Sequence, residues 1–204
     1  LTKAYFDGSP VLLMTGACYS RTAGMGNFQD LDHVALARPL CKLAQRVERP
    51  ERIPLAVHEA LGAAESGRPG PAHLRVPSDV LHGRVSEADV ERWLLEAQQR
   101  EAERASPAGA TPRSAADPDL VREAVDLLAR SRRPLLVAGS GVFYADGEAP
   151  LRRLAEALAA PLVIPIWDRG CVSRPMPEFL GVIGAASGGP ALLGDADAII
   201  LAGA

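Results

Sequence analysis

Three stretches of the sequence carry residue types that could do chemistry. Gly139-Ser140-Gly141 follows the apolar run PLLVA, and a glycine turn just past a strand lets backbone N–H groups approach a phosphate. The third glycine of a G-x-G-x-x-G pattern would fall at position 144, where a tyrosine stands, so the full dinucleotide fingerprint is absent. Asp168 lies beyond the next strand, where a carboxylate can meet a ribose, and Arg169 and Gly170 share that edge. In the first half of the chain Phe28 and Gln29 lie beyond the carboxyl end of another apolar strand, the edge where ligands gather in open α/β sheets. A plain strand-to-helix turn for the glycines and a solvent-facing amide for Gln29 are the commoner outcomes for such residues.

Other chemistries lack their patterns. The histidines, His33, His58, His73 and His82, show neither H-x-x-x-H nor H-E-x-x-H, so no metal site is expected. There is no G-x-S-x-G elbow for a serine hydrolase. Cys18, Cys41 and Cys171 have no zinc or redox-dithiol spacing and read as small buried residues.

The elements that must position these residues alternate. VLLMT (11–15) suits a fully buried strand, and residues 20–27 form a loop. NFQDLDHVALARP suits a short helix capped by Asn27 and stopped by Pro39. A helix over 53–65 places Ile53, Val57, Leu61 and Ala64 on one face, and AHLRV (72–76) is the next strand. SEADVERWLLEAQQREAERA reads as a surface helix opened by a Ser86/Asp89 capping box, and the small, aperiodic SPAGATPRSAA after it reads as a linker. Asp117-Pro118 then starts a helix whose buried face is Leu120, Ala124, Leu127 and Leu128. Strands over 134–138, 161–166 and 198–203 follow, with helical stretches over 149–160 and 187–194 between them. The alternation predicts an α/β fold with two partial, doubly wound parallel-sheet domains, because parallel strands need right-handed helical crossovers.

Composition agrees. The 204 residues are 48% hydrophobic and 23% charged with a formal net charge of −3, an ordinary soluble balance. Neither the basic stripe of a nucleic-acid binder nor an apolar run of the roughly 20 residues that span a bilayer is present. No nucleic-acid or membrane partner is expected, and the absence of a signal peptide points to the cytoplasm.

Six segments in order carry a resemblance: PVLLMTG (10–16), GNFQDLDHVALARPLCK (26–42), RPGPAHLRVPSDV (68–80), RRPLLVAGSG (132–141), LAEALAAPLVIP (154–165) and DADAIILAGA (195–204). Together they resemble the thiamine diphosphate-dependent enzymes of the acetolactate synthase, benzoylformate decarboxylase and benzaldehyde lyase group. The resemblance implies that 1–83 is the second half of a pyrimidine-binding domain, 84–116 a linker with a surface helix, and 117–204 the first part of a Rossmann-like central domain. It implies attack of the thiamine ylid on a 2-keto acid, loss of CO₂, and protonation or carboligation of the product. Phe28 and Gln29 match positions lining the substrate side of the cofactor, where Gln29 would orient the keto acid or hydrogen-bond a developing alkoxide. Gly139, Ser140, Gly141, Ile164, Arg169 and Gly170 match cofactor-binding regions of the central domain, which in the synthases also holds FAD. GDADAII (194–200) begins like the Gly-Asp of the Mg²⁺–diphosphate site, but Asp195 and Asp197 more simply flank a strand. The resemblance places the cofactor-activating Glu and the Mg²⁺ site in segments outside these residues, so that the chain would be an inactive middle third of a homo-oligomeric enzyme. A dinucleotide-binding protein using Gly139, Gly141 and Asp168, or a non-catalytic oligomerisation scaffold, are the alternatives.

Overall fold

Every residue of the strand Pro71–Pro77 is buried, and the first half of the molecule is organised around it. The computed structural model describes residues 1–104, 115–168, 170–184 and 192–203. The chain divides into two compact units, Leu1–Arg113 and Ser114–Ala204.

The first unit runs α1 (Thr2–Asp7), β1 (Val11–Ala17), α2 (His33–Ala37), β2 (Leu43–Arg46), α3 (Ile53–Glu65), β3 (Pro71–Pro77), α4 (Ser78–Leu81) and α5 (Glu87–Arg104). Its strands form one parallel sheet in the order β1-β3-β2. Ala72, Leu74 and Val76 face α3, which meets them with Ala56, Ala60 and Ala64. Alanine at every fourth position lets the helix close onto the sheet, so the buried stripe is narrower than the expected one: Ile53 and Val57 lie at its margin and Leu61 is exposed. Ser86 caps α5 as read, its hydroxyl accepting from the Asp89 N–H at 3.2 Å and donating to the Asp89 carboxylate at 2.7 Å. The buried Ala97 belongs to α5, which packs on α3 within this unit. Residues 105–114, which hold most of the expected linker, lie outside the described residues.

Three expectations change here. VLLMT is a strand but not a buried one: among the described residues β1 pairs only with β3, and Val11, Leu13 and Met14 are 38–45% exposed. The helix expected from Asn27 begins at His33, because Asp32 supplies the cap by accepting from the Ala35 N–H at 3.0 Å. Leu43–Arg46 is a strand that the sequence pattern does not announce, being short, at a sheet edge, and half polar.

The second unit runs α6 (Pro118–Arg130), β4 (Pro134–Ala138), α7 (Ser140–Tyr144), α8 (Glu148–Leu158), β5 (Leu162–Pro165), β6 (Phe179–Ile183) and β7 (Ala198–Ala202). Its parallel sheet has the order β6-β5-β4-β7. Leu136, Ala138, Leu162 and Ile164 on one face pack with Leu151, Ala155 and Cys171; Leu135, Val137 and Val163 form the other face. β6 escapes sequence pattern because Gly181, at φ 114°, interrupts its apolar run. The Asp117 cap of α6 is as expected, accepting from the Asp119 N–H at 2.8 Å ahead of Pro118. Its apolar stripe is not: Leu120 and Leu127 are exposed and Leu128 is only half-buried among the described residues of this unit. Of the helix expected over 187–194, residues 187–191 lie outside the described residues and Leu193–Asp195 form a turn.

Candidate active site

The carboxyl edge of the first sheet is occupied by the loop that joins β1 to α2. Its near end is fixed by Asp79, whose carboxylate accepts from the Ser20 N–H at 2.9 Å and the Ser20 hydroxyl at 3.2 Å. Gly24 and Gly26, at φ 83° and 72°, then turn the chain back in a conformation that side chains rarely adopt. Asp30 closes this turn by accepting from the Gly26 N–H at 2.9 Å and from the Cys18 thiol at 3.7 Å. Hydrogen bonding from the backbone N–H groups, Gly24 first and Gly26 next, holds the Asp30 carboxyl below its usual range. Asn27 donates its amide to the Thr22 carbonyl at 3.0 Å, and the Asp30 and Leu31 N–H groups bond back to Asn27 and Gln29.

Gln29, inside this braced turn, has φ 64° rather than the helical backbone expected of it. Its Oε1 lies 3.9 Å from where a Cβ on Gly16 would stand, so the amide rests over the carboxyl end of β1. Phe28 beside it is 88% exposed and Met25 72% exposed. The braced loop therefore carries the exposed Gln29 amide together with two open apolar side chains. Beneath it Thr15 Oγ1 meets His73 Nε2 at 2.9 Å and His33 Nδ1 at 3.3 Å. Burial, and secondarily the nearby His33, lowers the pKa of His73.

The second unit brings Gly139, Ser140, Gly141, Asp168 and Gly170 together at the carboxyl ends of β4 and β5, but for packing. Asp168 Oδ1 accepts from the Ser140 N–H at 2.7 Å and the Ser140 hydroxyl at 2.8 Å. The Gly139 N–H donates to the Ala202 carbonyl, Gly141 to Gly203 (both at 2.8 Å), and Val142 to Gly139 at 3.0 Å. Four successive N–H groups are thus bonded inside the chain. A Cβ on Gly141 would stand 2.7 Å from the Gly203 Cα, and one on Gly170 3.0 Å from the Phe143 ring, so both glycines are needed for close approach. Ile164 is a core residue of β5. Arg169 lies outside the described residues. Asp197 accepts from the Ser131 hydroxyl and from the Arg132 and Arg133 N–H groups, which lowers its pKa to about 2 and ties the start of β7 to that of β4. Among the described residues no group of three or more His, Cys, Asp or Glu could hold a metal ion, and no helix is long and apolar enough to cross a membrane.

Residues 121–204 match the model of the thiamine pyrophosphate enzyme central domain. Residues 121–204 belong with that domain family. The similarity continues through the first unit. The chain is 33% identical to a probable acetolactate synthase large subunit of Methanocaldococcus jannaschii over 90% of its own length and 30% of the relative's. It is 31% identical to a 2-hydroxyacyl-CoA lyase of Oryza sativa over its whole length and 34% of that enzyme. Among solved structures, benzoylformate decarboxylase from Polynucleobacter necessarius superposes with a TM-score of 0.70 at 22% identity, covering 98% of this chain and 35% of that one. The chain thus spans about a third of the length of the curated relatives it matches. Sequence reading missed two residues, His73 and Arg75, which project from one face of β3 although both are buried. The signal was present in AHLRV, where polar residues two apart interrupt an otherwise apolar strand.

Proposed function

We propose that the chain is part of a thiamine diphosphate- and Mg²⁺-dependent enzyme that acts on 2-keto acids by decarboxylation or carboligation, in the manner of an acetolactate synthase. The observation that supports it most is that a chain similar along its length to an acetolactate synthase presents Gln29 on a braced loop that also carries exposed Phe28 and Met25 at a sheet edge. Open apolar side chains beside a fixed hydrogen-bonding group suit a flat, partly apolar ring and a small polar substrate.

Thiamine diphosphate, when bound, supplies a nucleophilic carbon and an electron sink. The residues of this chain supply position and polarity. The Gln29 Nε2–H donates to the substrate carbonyl oxygen, which gains negative charge as the carbonyl carbon becomes tetrahedral. Because the Asp30 and Asn27 contacts already hold the turn, the backbone that carries this donor needs little reorganisation as that charge develops. Phe28 and Met25 cover the apolar side of the reacting groups and exclude water. The turn after β4 offers no comparable donors: the N–H groups of residues 139–142 are bonded within the chain, so this turn does not fit the phosphates of FAD or NAD as it stands, and no step is assigned to either. The complete protein is a cytoplasmic homo-oligomer on this reading.

The test is consumption of pyruvate and of benzoylformate by the full-length gene product with thiamine diphosphate and Mg²⁺. Turnover that requires both additions supports the reading. Absence of turnover with any 2-keto acid, together with tight NAD binding, overturns it. The 204-residue chain alone is expected to turn over neither substrate.

A further inference from the structure

The first sheet packs one face against α3, and its opposite face sets Thr15, Arg46, His73 and Arg75 beside Val11, Leu13 and Ala44. Arg75 projects from this opposite face of β3 and is only 8% exposed. Its guanidinium has no hydrogen bond or ion pair among the described residues, and its Nε is buried without an acceptor. Arg46 stands directly beside it in the β2–β3 register and also has a buried, unbonded Nε. Arg46 also makes an Nη2 hydrogen bond to the Ser20 hydroxyl at 2.8 Å, a long 3.9 Å approach to the exposed Glu48, and a charge attraction to Asp79. Two residues along β3 on the same face, His73 Nδ1 is a third buried polar atom with no partner. A buried guanidinium without an acceptor, as at Arg75, is costly, and the half-buried Arg46 beside it adds like-charge repulsion.

These arginines line a cavity of about 580 Å³ together with Arg38, which follows α2. That is room for a small organic ligand rather than for a water molecule alone. The carboxylates at the cavity are engaged elsewhere or exposed: Asp32 caps α2, Asp30 braces the Gly26 turn, and Glu48 is 75% exposed. The wall therefore offers unmatched donors in planar forks, the geometry that suits bidentate recognition of oxyanions. We propose that this face of the sheet is a binding site for a small molecule bearing a phosphate or carboxylate group, gripped by Arg75 and Arg46. The inference uses neither Gln29 nor the proposed keto-acid chemistry.

The test is titration of the 204-residue chain at constant ionic strength with inorganic phosphate and, separately, with acetate, followed by calorimetry and by amide shifts of β2 and β3. Saturable one-to-one binding of at least one anion is expected, and the stronger of the two identifies the group. Arg75→Gln and Arg46→Gln should each weaken it at least about tenfold, whereas the surface variant Arg122→Gln should leave it unchanged. Should Arg75→Gln fail to fold, Arg46→Gln decides, since Arg46 is only half-buried. No saturable binding of either anion, or affinity unchanged in the folded variants, overturns the proposal.

Discussion

The two parallel sheets end in opposite ways at their carboxyl edges. In the first unit the loop after β1 is braced from behind by Asp30 and Asp79, leaving the Gln29 amide and the Phe28 ring turned outward. In the second unit the turn after β4 directs its N–H groups to Asp168, Ala202, Gly203 and Gly139, and its glycines make room for backbone and ring atoms. Both edges occupy the position where α/β sheets collect ligands. The difference teaches that topology marks a candidate edge, while an inventory of hydrogen-bond partners shows whether anything remains to bind with.

The comparison breaks most readily at Gln29. In the full-length gene product Gln29→Ala should lower kcat by about 10²-fold or more, as expected when a preorganised donor to a developing oxyanion is removed. Ser140→Ala, at the equivalent place in the second unit, should leave kcat within about threefold. Steady-state turnover of pyruvate measures both, and a larger loss at Ser140 would reverse the assignment of roles. Next in size, Gly141→Ala should destabilise the second unit by about 1–3 kcal/mol, because its new methyl would overlap Gly203. Asp168→Ala should cost a similar or slightly smaller amount by leaving the Ser140 N–H and hydroxyl without their acceptor. Urea unfolding followed by unit-resolved hydrogen exchange measures both.

The smallest effect is a separation in pH. The pKa of His73 lies below its ordinary 6.5 in the folded state, so the unfolded chain takes up that proton first. The first unit should therefore lose stability as pH falls below about 6.5, and His73→Gln should flatten that loss. Asp197 and Glu148 in the second unit are lowered to about 2, Glu148 chiefly by its hydrogen bonds from Ser173. Their contribution is present above pH 4.5 and is lost as pH falls toward 2. Hydrogen exchange between pH 6.5 and pH 4.5 should show the first unit loosening before the second.

Where structure follows from a few neighbouring residues, the sequence was legible. Asp117-Pro118 announces the start of α6 because cap and ring act within one turn, and the α3 span follows from local periodicity between arginine-rich and turn-rich flanks. β2 and β6 were not legible, since a short polar edge strand and a strand broken by glycine acquire their form from the strands beside them. At the candidate site the Phe28-Gln29 position could be read, but not its left-handed backbone, which depends on Asp30 reaching back to Gly26. The glycines after β4 suggested a ligand because a turn that admits phosphate and a turn that admits another stretch of backbone require the same residue. Only the approach of Gly203, more than sixty residues away in the chain, distinguishes them.

That approach also has a mechanical consequence. β4 and β7 run parallel and pair along their whole length, and the chain leaving β7 is pinned against Gly141. A pull applied at opposite ends of the second unit loads this ladder in shear, so its hydrogen bonds bear the force together instead of parting one after another. Under tension the last strand should yield as a single abrupt event, with the glycine contact acting as its latch.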